Sequence, residues 1–298
     1  MIICSLFLLA LLLFCPSVAI AGSRYGASLW LFELLPTLLP FFIAVRLFQY
    51  CLPRAADKRA FLLTGLLCGY PVGASLVSAQ YERNILSKEA AYFYLGFVNN
   101  PSPMFIMAFC GNRLLGLSAC QSAIMFVLLV LSSLAGSLVF RMIYRLAGAH
   151  EQETSPRPAP VPRQPVTGDK KPSPSEILDN IILDSFRVMV TIGGYVILFS
   201  ILGQLFHSIF PDNAMFSLLG TGIFEISSGA SYIGKAAMAP LYKRALMLAS
   251  LSFGGLSAAF QTSSIITRTG LSLIPYLLNK ALNGLVAGIT ALLLFRIF

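Results

Sequence analysis

Two stretches of this chain set helix-stopping residues inside long apolar runs. Gly69-Tyr70-Pro71-Val72-Gly73-Ala74-Ser75 interrupts the run 60–80, and Phe97-Val98-Asn99-Asn100-Pro101-Ser102-Pro103 interrupts the run 89–111. In a helix interior Gly costs about 1 kcal/mol and Pro about 3 kcal/mol relative to Ala. At membrane depth a broken helix also frees backbone N–H and C=O groups that lipid cannot satisfy. Such breaks persist only where protein or a wet cavity covers them. Two of them close together, lined with Asn, Ser and Tyr, point to a binding site. The rest of the chain reads as its frame.

Composition says that these runs lie in a membrane. The chain has 298 residues, 57% apolar and 11% charged, with a mean hydropathy of +0.79. A soluble core of this size cannot hide so much apolar surface, so the fold class is an all-α polytopic membrane protein. The net charge of +9 comes from basic residues that flank apolar runs, the ordinary pattern of membrane topology, and no nucleic-acid partner is expected. The cysteines (Cys4, Cys15, Cys51, Cys68, Cys110, Cys120) are scattered without a CxxC pair and read as small buried hydrophobes. His150 and His207 have no partner at metal-ligand spacing. No metal or cofactor is expected. Nor does any nucleophile–base set, phosphate loop or carboxylate pair suggest an enzyme.

Along the chain, residues 1–22 read as an N-terminal transmembrane helix. Ala19-Ile20-Ala21 resembles a signal-peptidase site, but Met1-Ile2-Ile3-Cys4 lacks the basic region of a signal peptide, which favours an uncleaved helix. Residues 28–145 follow as a first structural unit, with Trp30 placed as an interfacial anchor and Pro36 and Pro40 placed to bend the helix below it. Residues 146–175 hold a proline-rich stretch almost without large apolar residues, a solvated linker. Counting Lys and Arg puts this linker in the cytoplasm. Ser173-Pro174-Ser175-Glu176 is a capping box with Pro at the first helical position, and it opens the second unit, 176–298, as an amphipathic helix.

The second unit is broken in two matching places, at Glu225-Ile226-Ser227-Ser228-Gly229-Ala230-Ser231 and at Phe253-Gly254-Gly255-Leu256-Ser257. Sliding the chain on itself by 156 residues superposes Leu62 on Leu218, Gly73 on Gly229, Ala74 on Ala230, Ser75 on Ser231, Leu95 on Leu251 and Phe97 on Phe253. Interrupted apolar segments in matching positions of two halves are the best sequence pointer to a transporter site. Whether 60–80 and 214–236 turn back as hairpins or cross as spans is left open by the charge count.

At Gly-Tyr-Pro-Val-Gly-Ala the chain resembles the YlbJ/SpoVV family of sporulation integral membrane proteins, within the nucleoside-recognition (Gate) domain group. The likeness takes in Leu35-Pro36-Thr37-Leu38-Leu39-Pro40-Phe41-Phe42, residues 97–106, Gly193-Gly194-Tyr195, Glu225-Ile226-Ser227-Ser228-Gly229 and Ser252-Phe253-Gly254-Gly255-Leu256-Ser257. The resemblance implies two inverted Gate-like repeats with re-entrant hairpins. It also implies a place in the bacterial cell membrane, with the outer forespore membrane as the specific setting, and a role in moving dipicolinic acid during sporulation. Ser75 stands where many members carry Lys.

The expected function is transport of a small polar aromatic solute, dipicolinate or a nucleoside-like molecule, by alternating access at the interface of the repeats. The solute and the lipid bilayer are the expected partners. The substrate-binding candidates are Tyr70, Gly73, Ser75, Asn99, Asn100, Ser102, Ser227, Ser228, Gly229, Gly254, Gly255, Ser257 and Gln261. Amides and hydroxyls supply hydrogen bonds, Tyr70 stacks, and the glycines let backbone N–H groups at helix ends approach an anion. Glu225 and Lys280 are the coupling or gating candidates, because ionisable groups are costly inside a bilayer. Lys280 either counters an anionic solute or pairs with Glu225. Two other readings are a nucleoside permease coupled to a cation through Glu225 and a structural membrane protein that moves nothing.

Overall fold

Pro16 decides where the first helix stops. In the computed structural model, which describes residues 2–51, 58–148, 173–210 and 222–294, α1 (Ile2–Phe14) ends at Cys15, whose φ of −126° and ψ of 55° leave the helical region. The residue before a proline is steered that way. Pro16 then opens α2 (Pro16–Ser28), a position where its missing N–H is harmless. The chain runs on through a π-helical stretch, Leu29–Leu34, into α3 (Leu35–Cys51). Pro16–Phe48 is long and apolar enough to cross a bilayer. The apolar run expected as one helix over 1–22 is therefore divided, and its second part belongs to the next span. The π turn precedes Pro36, and the Thr37 hydroxyl donates to the Glu33 carbonyl at 2.6 Å.

Among the described residues, nine further α-helices follow the same logic of breaks and caps. They are α4 (Lys58–Cys68), α5 (Val72–Glu82), α6 (Lys88–Val98), α7 (Ala119–Leu146), α8 (Pro174–Ile209), α9 (Ile226–Lys235), α10 (Pro240–Phe253) and α11 (Gly255–Ile266), with α12 (Leu273–Leu294) closing the described chain. A second π-helical stretch, Phe105–Leu114, lies between α6 and α7. No strand occurs among the described residues. The capping box expected before α8 is formed: Glu176 N–H donates to Ser173 Oγ, and Ser173 N–H donates to Glu176 Oε2 at 2.7 Å. Most of the expected linker, 149–172, and residues 211–221 fall outside the described residues.

Among the described residues, five segments are long and apolar enough to span: Pro16–Phe48, Ala119–Leu146, Pro174–Ile209, Pro240–Thr269 and Leu273–Leu294. Their outward faces carry exposed apolar side chains such as Leu131, Leu138, Met142, Leu278, Leu285 and Ile289. A soluble protein could not leave these in water; in a bilayer they meet lipid. Inside, α2 lies antiparallel to α8. Trp30 Nε1 donates to the Met189 carbonyl at 2.8 Å, and Arg46 at the far end pairs with Asp184 at 3.7 Å. Gly22 and Gly26 make the contact possible, since a Cβ on either would meet the Cα of Ile201 or Ile197 at 2.6 or 2.8 Å.

Between the spans the chain reverses. Gly222 and Gly229 are so close that a Cβ on Gly229 would overlap the Gly222 backbone. In a continuous helix residues seven apart stand about 10 Å apart along the axis. The chain therefore doubles back at Glu225, the single non-helical residue between Phe224 and Ile226.

Candidate functional site

Four interruptions of regular helix converge. Gly69, at φ +66°, ends α4 and packs on the break after α6: a Cβ there would meet Ser102 N at 2.6 Å and the Asn100 carbonyl oxygen at 2.8 Å. Tyr70 N–H donates to that same Asn100 carbonyl at 3.1 Å. The second half repeats the contact. Gly255, at φ +75°, faces the reversal at Glu225, with a Cβ there placed 3.2 Å from Ile226 N. The halves then meet each other, because the Tyr70 hydroxyl rests against Gly254, at φ +88°, where any Cβ would overlap it. Only glycine is unstrained at these positive φ values.

Each freed helix end finds a partner, or fails to. The start of α5 is capped from a distance: Ala74 N–H donates to Asn99 Oδ1 at 3.1 Å. Asn99 Nδ2 donates to Thr262 Oγ1 at 2.9 Å and to the Tyr276 hydroxyl at 3.1 Å, so this one amide ties α5, α11 and α12 together. The start of α9 is capped by Glu225, whose Oε1 and Oε2 accept from Ser227 N–H at 2.9 Å and Ser228 N–H at 2.5 Å. A buried carboxylate is tolerated where backbone donors and a helix N-terminus answer it. The start of α11 at Gly254 has no side-chain cap.

A small cavity of about 60 Å³ lies at this junction. Tyr70, Ser102, Glu225, Ser227, Ser257 and Gln261 supply its polar wall. Leu34, Leu38 and Phe42 of α3, with Phe105, Ile192 and Val196, supply the apolar one. It holds a few waters and is far smaller than the roughly 300–1,000 Å³ of ligand clefts. One helical turn away on the same elements, a wider cleft of about 480 Å³ is lined by Tyr25, Glu33, Phe109, Arg113, Ser231 and Lys235. Arg113 and Glu33 bridge its two π-helical walls at 2.6 Å.

Behind the Tyr70 wall lies a buried polar layer on α12. Lys280 Nζ donates to Asn100 Oδ1 at 2.7 Å and to the Asn99 carbonyl at 3.4 Å, and stands 5.6 Å from the centre of the Tyr70 ring. Asn279 and Asn283 donate to the carbonyls of Tyr92 and Gly96 at 2.9 and 3.0 Å. Ser137 donates to Asn279 Oδ1 at 3.1 Å and accepts from Asn283 Nδ2 at 3.2 Å.

Over 336 aligned residues the chain is 25% identical to the sporulation integral membrane protein YlbJ of Bacillus subtilis (strain 168), spanning 98% of this chain and 81% of that protein. The chain is similar to YlbJ along nearly its whole length. No protein-family model matches it, and no solved structure does. That likeness and the five membrane-capable segments among the described residues together make it a multi-pass integral membrane protein.

Within this fold the sequence candidates separate into three groups. Tyr70, Ser102, Ser227, Ser257, Gln261 and Glu225 reach the cavity. Asn99, Asn100 and Lys280 stand one layer behind it, with their polar atoms joined to protein partners. Gly73, Gly229, Gly254 and Gly255 act through close backbone approach, and Ser228 shares a hydroxyl bond with Ser200 at 2.9 Å. Ser75 is exposed off the cavity and donates back to the Pro71 carbonyl. The pairing of Lys280 with Glu225 does not occur; each has other partners. Leu34, Leu38 and Phe42 were not singled out as site residues, although their spacing of four puts them on one helical face. Asn279 was passed over as well, beside Lys280 and one turn before Asn283.

Proposed function

We propose that the protein moves a small polar aromatic solute, most specifically dipicolinate, across a membrane during sporulation, by alternating access around the cavity at the four interruptions. The observation that carries this reading is their convergence: two chain turns and two helix breaks from different halves enclose one cavity with polar groups on its wall. Solute sites of secondary transporters are built from discontinuous helices near the bilayer midplane. The matching spacing supports two inverted repeats, since α5 and α9 begin 154 residues apart (226 − 72), as do α7 and α12 (273 − 119). On this reading the structure is a closed state. The cavity is too small for an aromatic ring with two carboxylates, and one turn of helix separates it from the 480 Å³ cleft.

The dipicolinate assignment draws on the family likeness and on the site's chemistry, which offers hydrogen-bond donors and an aromatic face. Uptake of labelled dipicolinate into proteoliposomes, competed with unlabelled nucleosides, tests it. Saturable uptake that nucleosides leave unchanged is the expected result. Block by nucleosides would replace it with the nucleoside-permease reading, and no uptake by folded protein would leave a structural role.

A further inference from the structure

Lys280 is the side chain whose burial asks most for an explanation. It is 1% exposed in the middle of α12, and among the described residues no carboxylate lies within ion-pair distance of it. Its two hydrogen-bond acceptors, Asn100 Oδ1 and the Asn99 carbonyl, are neutral. The face of the Tyr70 ring adds a cation–π contact. A buried ammonium costs several kcal/mol unless an opposite charge compensates it. Glu225 does not, because both its oxygens are engaged at the start of α9.

Two further unanswered donors lie on the cavity side of the same ring. The Tyr70 hydroxyl is buried without a hydrogen-bond partner, and it rests against Gly254. Gly254 is the uncapped N-terminus of the twelve-residue helix α11, whose Ser257 and Ala258 line the cavity. The first N–H groups of a helix carry its partial positive charge. At α5 and α9 that charge is met by Asn99 Oδ1 and by Glu225; at α11, among the described residues, no side chain caps it.

We propose that this corner of the cavity is an anion subsite and that Lys280 selects a carboxylate on the transported solute. The proposal rests on the transport reading and names the residues that would recognise a carboxylate of that solute. The carboxylate accepts from the Tyr70 hydroxyl and from the first N–H groups of α11. Lys280 stands 5.6 Å from the centre of the Tyr70 ring, held by Asn100 Oδ1. The arriving carboxylate brings the opposite charge that an ammonium at this buried position lacks.

Two probes of one shape test the assignment: labelled pyridine-2,6-dicarboxylate and its neutral diamide, offered to proteoliposomes. The wild type should favour the acid. Lys280→Gln should lower acid uptake by at least about tenfold, the scale of losing the partner of a buried charge, with diamide uptake no lower than in the wild type. Asn100→Asp covers the case in which that variant does not fold. It is nearly isosteric, sets a carboxylate where the ammonium already bonds at 2.7 Å, and should abolish the preference for the acid by internal pairing. Equal uptake of both probes by the wild type, or an undiminished acid preference in either folded variant, would overturn the subsite. A wild type that moves neither probe would overturn transport itself, which is a different result.

Discussion

Glu225 shows how one residue can satisfy the local backbone and still stand at the cavity. Its carboxylate accepts two N–H groups at the start of α9, at 2.9 and 2.5 Å, and its side chain lines the space where the halves meet. Glu225→Ala removes both acceptors from a residue that is 1% exposed. It should lower stability in detergent by about 2 kcal/mol or more, the range for a lost cap and unsatisfied buried donors. Glu225→Gln keeps one carbonyl oxygen and should cost about half of that. A Glu225→Ala protein that unfolds at the wild-type temperature would show that the carboxylate is held for ion coupling and not as a cap. Asn99 carries the same lesson in the first half, since one amide answers α5, Thr262 and Tyr276 together.

Helices in this molecule are fixed as much by missing side chains as by present ones. Gly22 and Gly26 form a small-xxx-small stripe that brings α2 against the backbone of α8. Gly26→Ala places a Cβ 2.8 Å from the Ile197 Cα and should destabilise by about 1–3 kcal/mol through overpacking. Gly194→Ala is the control on α8 itself: nothing lies within 4 Å of its Cβ position, and the change should be neutral or stabilising by up to about 1 kcal/mol. Thermal unfolding of the two variants side by side checks this, and equal effects would mean that α2 and α8 do not pack this way. The breaks at Gly69–Pro71, Asn99–Pro103 and Gly254–Gly255 were legible in the sequence because Gly and Pro act locally, whatever surrounds them. The capping box before α8 was legible for the same reason. The division at Pro16 had its signal too, but the apolar run across it masked a local rule. What sequence could not give was partner choice. That Asn99 reaches Ala74, Thr262 and Tyr276, or that Lys280 bonds Asn100 and not Glu225, depends on how separate helices are set against one another.

At the scale of the whole molecule, two clusters of buried apolar residues support a polar junction. One cluster, which includes Leu34, Phe105, Met125, Met189 and Leu248, provides part of the cavity wall; the other gathers Val77, Tyr92, Leu95, Phe140 and Tyr276. The cavity holds about 60 Å³, and the cleft one turn away about 480 Å³. On the proposed transport reading, the cavity itself becomes solute-sized when the halves shift and it joins the cleft. The most direct measurement of that claim is solute protection of a thiol on the cavity wall, in a background where the native cysteines are replaced. Ser257→Cys puts the thiol at a 2% exposed wall position, and Ser75→Cys puts one at an exposed position off the cavity. Dipicolinate should slow labelling of the Ser257→Cys thiol by a small membrane-permeant reagent and leave the Ser75→Cys thiol unaffected. Equal rates at Ser257→Cys with and without dipicolinate would contradict the account.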